Sequence, residues 1–322
     1  MSDVSVIATV LNEAGDIERL VQSLMEQTLA PAEVIIVDGG SSDGTWEKLQ
    51  AAKAKYPRLI AIRDETCRLP NSPGPISRGR NVAIAAATSS VIACVDAGCV
   101  YHSDWLERLT DPILRGDAEY ALGGSCLDPE QSTVWDVASA PFFGVTLSED
   151  AATKSCTARS MAFRKELWQR VGGFPEDILL GEDTVFDLKV RAIVAPAFAE
   201  SAKAFYRPQN TLRTALRQQA RYATSDGVAG VRPARLLRNL ARCVVQIIAV
   251  VIVFRTWIPL ACVLAFEVYT AFRLDWRDLR GVSVRTLGAR MLYSLLVPWV
   301  VAWNQIKGAI TKVNLPNRQN LG

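Results

Sequence analysis

Residues 92–95, Ile-Ala-Cys-Val, are apolar at every position and the run ends abruptly in Asp96. A strand with one face in water alternates polar and apolar residues, whereas a parallel strand covered on both faces reads as an unbroken apolar run. The run therefore predicts a central parallel strand and confines the chain to α/β architectures, with helices on both sides of a sheet. Asp96 falls at the carboxyl end of that strand, where open α/β sheets place ligand-handling side chains. A carboxylate there suits a metal ion or a phosphate-bearing ligand; a turn or helix N-cap aspartate is the alternative.

The same layout recurs upstream. Residues 4–10 (VSVIATV) are β-branched and apolar, end at Asn12 and Glu13, and lead into Ile17, Leu20, Val21 and Leu24 at helical spacing, closed by Pro31. Residues 33–49 (EVIIVDGGSSDGTWEKL) repeat it: strand 34–37, Asp38, a Gly/Ser turn, and a helix from Thr45 with Asp43 as its expected N-cap. A third strand is expected at 59–63, a helix at 80–90, an amphipathic helix from about Asp104 and a strand at 121–124. Residues 126–158 show no clear period. Residues 158–174 predict a strand, a helix and a Gly-Gly-Phe stop, and 181–193 a helix opened by Gly-Glu-Asp. Strand–helix alternation with short turns predicts an α/β fold, a Rossmann-like, mostly parallel sheet flanked by helices.

Charge divides the chain in two. Residues 1–204 carry 19 Lys and Arg against 29 Asp and Glu, while residues 205–322 carry 17 against 4. A basic segment of that kind meets nucleic acid or an anionic membrane surface. Arg213, Arg217 and Arg221 fall at i, i+4, i+8 on one helix face, and Arg232, Arg235, Arg238 and Arg242 continue the charge. Apolar stretches follow at 244–254, 258–272 and 291–303, each short of the ~20 residues of a full helical span. Trp257, Trp276, Trp299 and Trp303 flank them as interfacial aromatics do. Basic flanks on both outer sides favour a hairpin that enters a membrane and returns, with cytoplasmic flanks; the buried helices of a soluble domain are the alternative. Long apolar runs without a recognition motif exclude nucleic acid as the partner. The expected organisation is a sheet domain at 1–205, basic amphipathic interface helices at 206–242 and a membrane-associated helical segment at 243–322.

Seven cysteines without CxxC spacing predict reduced core residues, not a zinc site or disulfides. Four acidic residues within the first 25 argue against a signal peptide, which predicts a cytoplasmic first domain. The single histidine, His102, reads as a surface loop residue and makes a Ser-His-Asp hydrolase implausible.

Taken in order, VSVIATVLNE, EVIIVDGGSSDGT, GPISRGRN, CVDAGC, VGGF and GED resemble a family 2 glycosyltransferase of the GT-A fold, over about residues 4–191. QQARY (218–222) resembles, less firmly, the Q-x-x-R-W element of some members, with Tyr222 in the tryptophan's place. The resemblance implies inverting transfer of a sugar from a nucleotide diphosphate sugar, with a UDP-sugar favoured. Asp183 matches the base that accepts the acceptor hydroxyl's proton; Glu182 beside it is expected to be structural or acceptor-binding. Without the resemblance, two carboxylates at a helix start are simple dipole partners. Glu13 and Asp38 match positions holding the base and ribose, and Arg78, Arg80 and Asn81 match the loop beneath the diphosphate, although each alone is ordinary surface charge. Gly173 and Phe174, with Gln218, Arg221 and Tyr222, are expected on the acceptor side; a solvated helix on anionic lipid is the other reading of that helix.

One departure stands out. Many members carry a D-x-D element that binds Mg²⁺ or Mn²⁺, whereas this chain has Asp96-Ala97-Gly98. A hard divalent ion tolerates one protein carboxylate with diphosphate oxygens and waters, so Asp96 is also the expected metal ligand, with weakened affinity. The sequence leads to a glycosyltransferase at the cytoplasmic face of the inner membrane, acting on a lipid-linked glycan acceptor in polysaccharide or glycolipid synthesis. A non-catalytic nucleotide-sugar-binding membrane scaffold is the rival, suggested by Gly98.

Overall fold

In a computed structural model, residues 3–128, 132–145, 157–206, 210–253 and 283–314 are described. The chain divides into two compact units, Met1–Gln131 with Gly144–Arg207, and Ser132–Phe143 with Pro208–Gly322.

The first unit is built on eight described strands, β1 (Val4–Val10), β2 (Glu33–Asp38), β3 (Leu59–Arg63), β4 (Val91–Cys94), β5 (Cys99–Tyr101), β6 (Tyr120–Leu127), β7 (Met161–Arg164) and β8 (Ala197–Tyr206). They form one sheet in the order β3-β2-β1-β4-β7-β6-β8-β5. The first four neighbours are parallel, with Val6 opposite both Val34 and Ala93. Beyond β4 the sheet is mixed: β7 is antiparallel to β4 and β6, β6 is parallel to β8, and β5 closes the edge antiparallel to β8. Apolar patterning reveals a strand but not its direction, and these short strands carry no signal that would set it.

The helices of this unit are α1 (Ile17–Met25), α2 (Thr45–Lys55), α3 (Pro75–Ala86), α4 (Trp105–Leu114), α6 (Lys165–Arg170) and α7 (Glu182–Arg191); α5 (Val134–Ser139) belongs to the second unit. Successive side chains of a strand point to opposite faces, so the apolar run of β1 feeds two cores. Val4, Val6, Ala8 and Val10 pack with Ile17, Leu20, Leu24 and Trp105, while Ile7 packs with Ile35, Ile92, Ile84, Phe163 and Phe186. This is why apolar residues recur on both faces of the strand, interrupted only by Ser5 and Thr9.

Two helix starts differ from the sequence reading. α3 begins at Pro75, not at residue 80: proline fits the first helical position, where its missing N–H is no loss. At α2, Gly44 occupies the N-cap position in the left-handed region (φ 97°), and Asp43 one residue earlier accepts from Thr45 N at 3.1 Å and Ala14 N at 3.0 Å. The described cysteines Cys67, Cys94, Cys99, Cys126 and Cys243 are buried and unlinked; Cys156 and Cys262 lie outside the described residues.

A buried carboxylate staples the sheet at its amino end. Glu33 Oε1 accepts from Ser5 Oγ at 2.6 Å, Thr88 N at 2.6 Å and Thr88 Oγ1 at 2.8 Å, tying β1, β2 and the connection into β4. Burial alone would raise its pKa, but the hydrogen bonds from Ser5 and Thr88 outweigh it and hold the carboxyl below the usual range. A depressed folded-state pKa contributes stability that is present above the unfolded pKa and lost as pH falls through the folded one. Glu33→Ala should therefore cost about 1–3 kcal/mol at neutral pH, by stranding buried donors. Measured from urea midpoints, the difference between variant and parent should shrink below about pH 4; a pH-independent difference would mean that the ionised form carries no special stability.

The second unit comprises α5, α8 (Leu212–Ala229), α9 (Pro233–Val253) and α10 (Val284–Asn314). α8 and α10 touch backbone to backbone: a Cβ on Gly227 would lie 2.1 Å from the Gln305 carbonyl oxygen, and one on Gly308 2.0 Å from that of Thr224. α9 and α10 both bury polar side chains alongside apolar ones and leave several large apolar side chains outside. α9 buries Asn239, Cys243 and Gln246 and exposes Leu237, Val244, Val245, Ile247 and Ile248. α10 buries Thr286, Arg290, Ser294 and Gln305 and exposes Leu292, Trp299, Trp303 and Ile310. Arg242 donates to Ser294 Oγ at 2.9 Å, and Trp299 Nε1 donates to Gln246 Oε1. Polar side chains glued between helices with apolar residues outside is the pattern of helices in lipid. Among the described residues one helix, Val284–Thr311, is long and apolar enough to cross a membrane. The stretch at 258–272 lies outside the described residues, as does Phe254 at the end of 244–254.

Candidate active site

The chemistry-bearing side chains of the first unit gather where β1, β2 and β4 end. Asp96, two residues past β4, has its backbone N–H held by Tyr101 Oη at 3.0 Å; that hydroxyl in turn donates to the Arg159 carbonyl at 2.8 Å. Arg80 reaches in from α3 and is 4% exposed. Its Nη2 donates to Asp96 Oδ1 at 2.9 Å and its Nη1 to Glu182 Oε1 at 2.6 Å, with the guanidinium over the Phe174 ring. One arginine thus ties the carboxyl end of β4 to the first turn of α7. Gly181, in the left-handed region at φ 82°, turns the chain into that helix.

Glu182 is buried, which pushes its carboxyl up; Arg80 pulls it back down, and Asp183 adds to the upward push. Asp183 itself is half-buried, and its Oδ1 accepts the Thr184 N–H at 2.7 Å. The geometry leaves Glu182 committed to Arg80 and Asp183 as the neighbouring carboxylate without an ion pair among the described contacts.

Glu13 follows β1. Its backbone N–H donates to Thr45 Oγ1 at 2.8 Å and its carbonyl accepts from Asp16 and Ile17, which leaves the side chain half-buried at the mouth of the sheet. Burial first, then the negative charges of Asp16, Asp43 and Asp96, push its pKa up to about 7. The sign follows: the folded state binds this proton more tightly than the unfolded chain, so stability falls as pH rises from about 4.5 to 7 and levels off above. Glu13→Gln should flatten that slope, gaining on the parent as pH rises through this window in thermal unfolding. Parallel pH profiles for variant and parent would rule out the buried, charge-crowded environment.

Several of the expected ligand residues also hold the local structure. Asp38 is fully buried, and its carboxylate accepts from Gly40 N at 3.2 Å, Ser41 N at 3.1 Å and Ser41 Oγ, with Arg63 Nε at 4.0 Å. It shapes the turn that follows β2. Asn81 spends both ends of its amide on the Gly-Gly-Phe loop: Oδ1 accepts from Phe174 N and Trp168 Nε1, each at 3.0 Å, and Nδ2 donates to Phe174 O and Glu176 Oε1. Phe174 is 1% exposed and stacks on Phe186, 4.1 Å between centroids, so it packs in the core. Gly173 lies in the left-handed region at φ 75°, with Asn81 Oδ1 3.1 Å from where a Cβ would stand. Arg78 bridges Thr66 and Glu176 at the surface. His102 is exposed and pairs with Asp104.

Gln218, Arg221 and Tyr222 lie on α8 in the second unit. Arg221 is exposed, donating to Gln218 Oε1 at 3.5 Å, and Tyr222 packs edge-on against Phe143.

One residue escaped the sequence reading. In the antiparallel β4–β7 register Cys94 lies opposite Met161; two residues further along, Arg159 faces Asp96, with its Nε 4.0 Å from Asp96 Oδ2. Its guanidinium stacks on Tyr206, 3.9 Å from the ring centroid. No local signal could have found it, because the pairing joins positions more than sixty residues apart.

As a donor set for Mg²⁺ or Mn²⁺ these residues do not fit. The sole carboxylate of the turn, Asp96, is shared by two guanidinium groups, and position 98 offers none. Among the described residues no group of three or more His, Cys, Asp and Glu side chains could hold a metal ion.

A parallel sheet with carboxylates and arginines at its strand ends is the layout of a nucleotide-binding α/β domain. The sequence model of Glycosyl transferase family 2 matches residues 5–172, and the chain belongs to that family. Glycosyltransferase AglE of Haloferax volcanii is 29% identical over 193 residues, 56% of this chain and 58% of that protein. The succinoglycan biosynthesis protein ExoA of Rhizobium meliloti is 34% identical over 116 residues, 35% of this chain and 33% of that protein. Both alignments span less than two thirds of the relative's length. The solved structure of mannosyltransferase PcManGT from Pyrobaculum calidifontis, in complex with GDP-Man and Mn²⁺, superposes with a TM-score of 0.56 at 18% identity, covering 97% of this chain and 87% of that one. That likeness is one of fold, the GT-A arrangement of a mixed sheet flanked by helices.

Proposed function

We propose that the chain is an inverting glycosyltransferase that moves a sugar from a nucleotide diphosphate sugar, a UDP-sugar by expectation, to a hydroxyl of a lipid-linked glycan acceptor. The observation that carries this reading is the Arg80 bridge, which fixes the Asp96 turn and the Glu182–Asp183 turn as one unit at the carboxyl end of the sheet. Asp183 is the base: as the acceptor oxygen attacks the anomeric carbon, the carboxylate takes the hydroxyl proton. The bond from that carbon to the diphosphate oxygen breaks on the opposite face, which inverts the centre, and the electron pair leaves with the nucleotide. Positive charge must meet the leaving diphosphate. Glu13 and the turn shaped by Asp38 form the nucleoside side, and Gly173 and Glu182 the acceptor side.

The polar side chains buried and the large apolar side chains exposed on α9 and α10 support association of residues 243–322 with the cytoplasmic membrane, and the exposed stripe Arg213, Arg217, Arg221 on α8 suits anionic headgroups at its cytoplasmic face. The name of the ExoA relative, in succinoglycan biosynthesis, supports a polysaccharide product.

Detergent-solubilised chain incubated with a panel of radiolabelled nucleotide sugars and a bacterial lipid extract should move label into the organic phase with one donor. Nucleotide binding without transfer from any donor would instead favour a non-catalytic scaffold. Removing residues 241–322 should release the protein from floated membranes, and a truncated chain that still floats would sink the anchor.

A further inference from the structure

The turn after β4 lacks a second carboxylate, and the structure shows what stands beside the gap. Space does not exclude an aspartate at position 98: a Cβ on Gly98 would meet only Tyr206 Cε2, at 3.8 Å, an ordinary contact. The same tyrosine ring carries the Arg159 guanidinium on its face, 3.9 Å from the centroid. Two strand registers produce the arrangement. β5 pairs Cys99 with Tyr206, and β4–β7 pairing sets Arg159 across from Asp96. A fixed positive charge therefore lies beside the tyrosine towards which a residue-98 side chain would project.

Two cations already stand at this turn: Arg80 pairs with Asp96 and Glu182, and Arg159 lies beside Asp96, both arginines being nearly buried at 4% and 5% exposure. A guanidinium offers a diphosphate fixed positive charge and directed N–H donors, and it does not dissociate. A carboxylate shared by two guanidiniums, by contrast, keeps little attraction for a hard cation that relies on negative oxygen ligands.

Resting on the donor-site reading above, we propose that this chain neutralises the donor's diphosphate with Arg159, positioned by Tyr206 and Asp96, and needs no divalent ion. In the transfer step, the electron pair of the breaking bond between anomeric carbon and phosphate oxygen stays on the diphosphate, and the added negative charge falls to Arg159. The acceptor oxygen forms the new bond and its proton goes to Asp183.

The test is calorimetric titration of UDP and of GDP into the detergent-solubilised full chain, in EDTA and then in excess Mn²⁺. At least one nucleotide should bind in EDTA with an affinity within about threefold of that in Mn²⁺. Arg159→Gln should weaken binding in EDTA by about tenfold or more, the worth of a hydrogen bond to a charged group, and Arg159→Lys, which keeps the charge but not the stacked fork, should recover only part of it. Gly98→Asp should bind poorly in EDTA and recover with Mn²⁺, having regained the second carboxylate. Parent binding that requires Mn²⁺ would overturn the inference while leaving the donor site standing, and so would equal affinity of parent and Arg159→Gln in EDTA. Binding of neither nucleotide in either condition would overturn the donor site and the inference with it. Should Arg159→Gln fail to fold, the parent and Gly98→Asp titrations decide the matter.

Discussion

Asp183→Asn should lower the rate of sugar transfer by about 10²–10⁴-fold, the range of a positioned general base, with nucleotide affinity unchanged. The separation of the two effects follows from geometry. An asparagine keeps an oxygen for the Thr184 N–H that Asp183 Oδ1 accepts at 2.7 Å, so the first turn of α7 stays formed. The bridge from Arg80 runs through Glu182, not Asp183, so the link to Asp96 survives. What is lost is the ability to take a proton. The comparison requires kcat from a transfer assay and Kd from calorimetry on the same preparation. A parallel loss of nucleotide affinity would move Asp183 into the donor site and leave the base unassigned.

Arg80→Leu should be the most destabilising single change at the site, by about 3–5 kcal/mol, because it leaves Glu182 in the interior without its counter-charge. Glu182 is 5% exposed and Asp96 about a third, so most of the cost falls on the glutamate. The double variant Arg80→Leu/Glu182→Leu should recover much of the loss, since replacing both members of a buried pair with apolar residues is often close to neutral. Urea denaturation of both variants measures this directly. A single-variant cost below about 1 kcal/mol would show that the pair is solvated and that the two turns are not tied through it. Activity should not return in the double variant, because the tie between the Asp96 and Asp183 turns is absent whether or not stability recovers.

The parts of the fold that the sequence made legible are those set by local pattern. β1 to β4 announce themselves as largely apolar runs; Glu13 and Asp96 follow β1 and β4, and the Glu182–Asp183 pair opens α7, each near where the chemistry gathers. Direction and depth were not legible. Nothing near residue 159 says that β7 runs antiparallel to β4, and so nothing reveals an arginine facing Asp96. Arg80, Asn81 and Phe174 looked like loop residues facing a ligand, yet their burial is decided by how α3 packs against the chain leading into α7. What Asp38 does locally was legible: an aspartate followed by Gly-Gly-Ser is a strong candidate to fold back on its own backbone, as it does here.

The membrane placement proposed for α9 and α10 has a consequence for which substitutions the second unit can accumulate. In a water-soluble helix bundle, drift towards lysine and glutamate on the outer face is harmless, and a polar-to-leucine change inside is often an improvement. Here the permissive and restrictive faces trade places. In a membrane, Leu237, Ile247 and Trp303 would be open to exchange among apolar residues but closed to charge, whereas Gln246 and Ser294 hydrogen-bond between the helices. A library of random variants selected for a folded product should therefore show an outer face that varies only within greasy residues and an inner face that keeps its hydrogen-bonding groups. If that placement holds, decorating the surface with charge would suit the first unit and unfold the second.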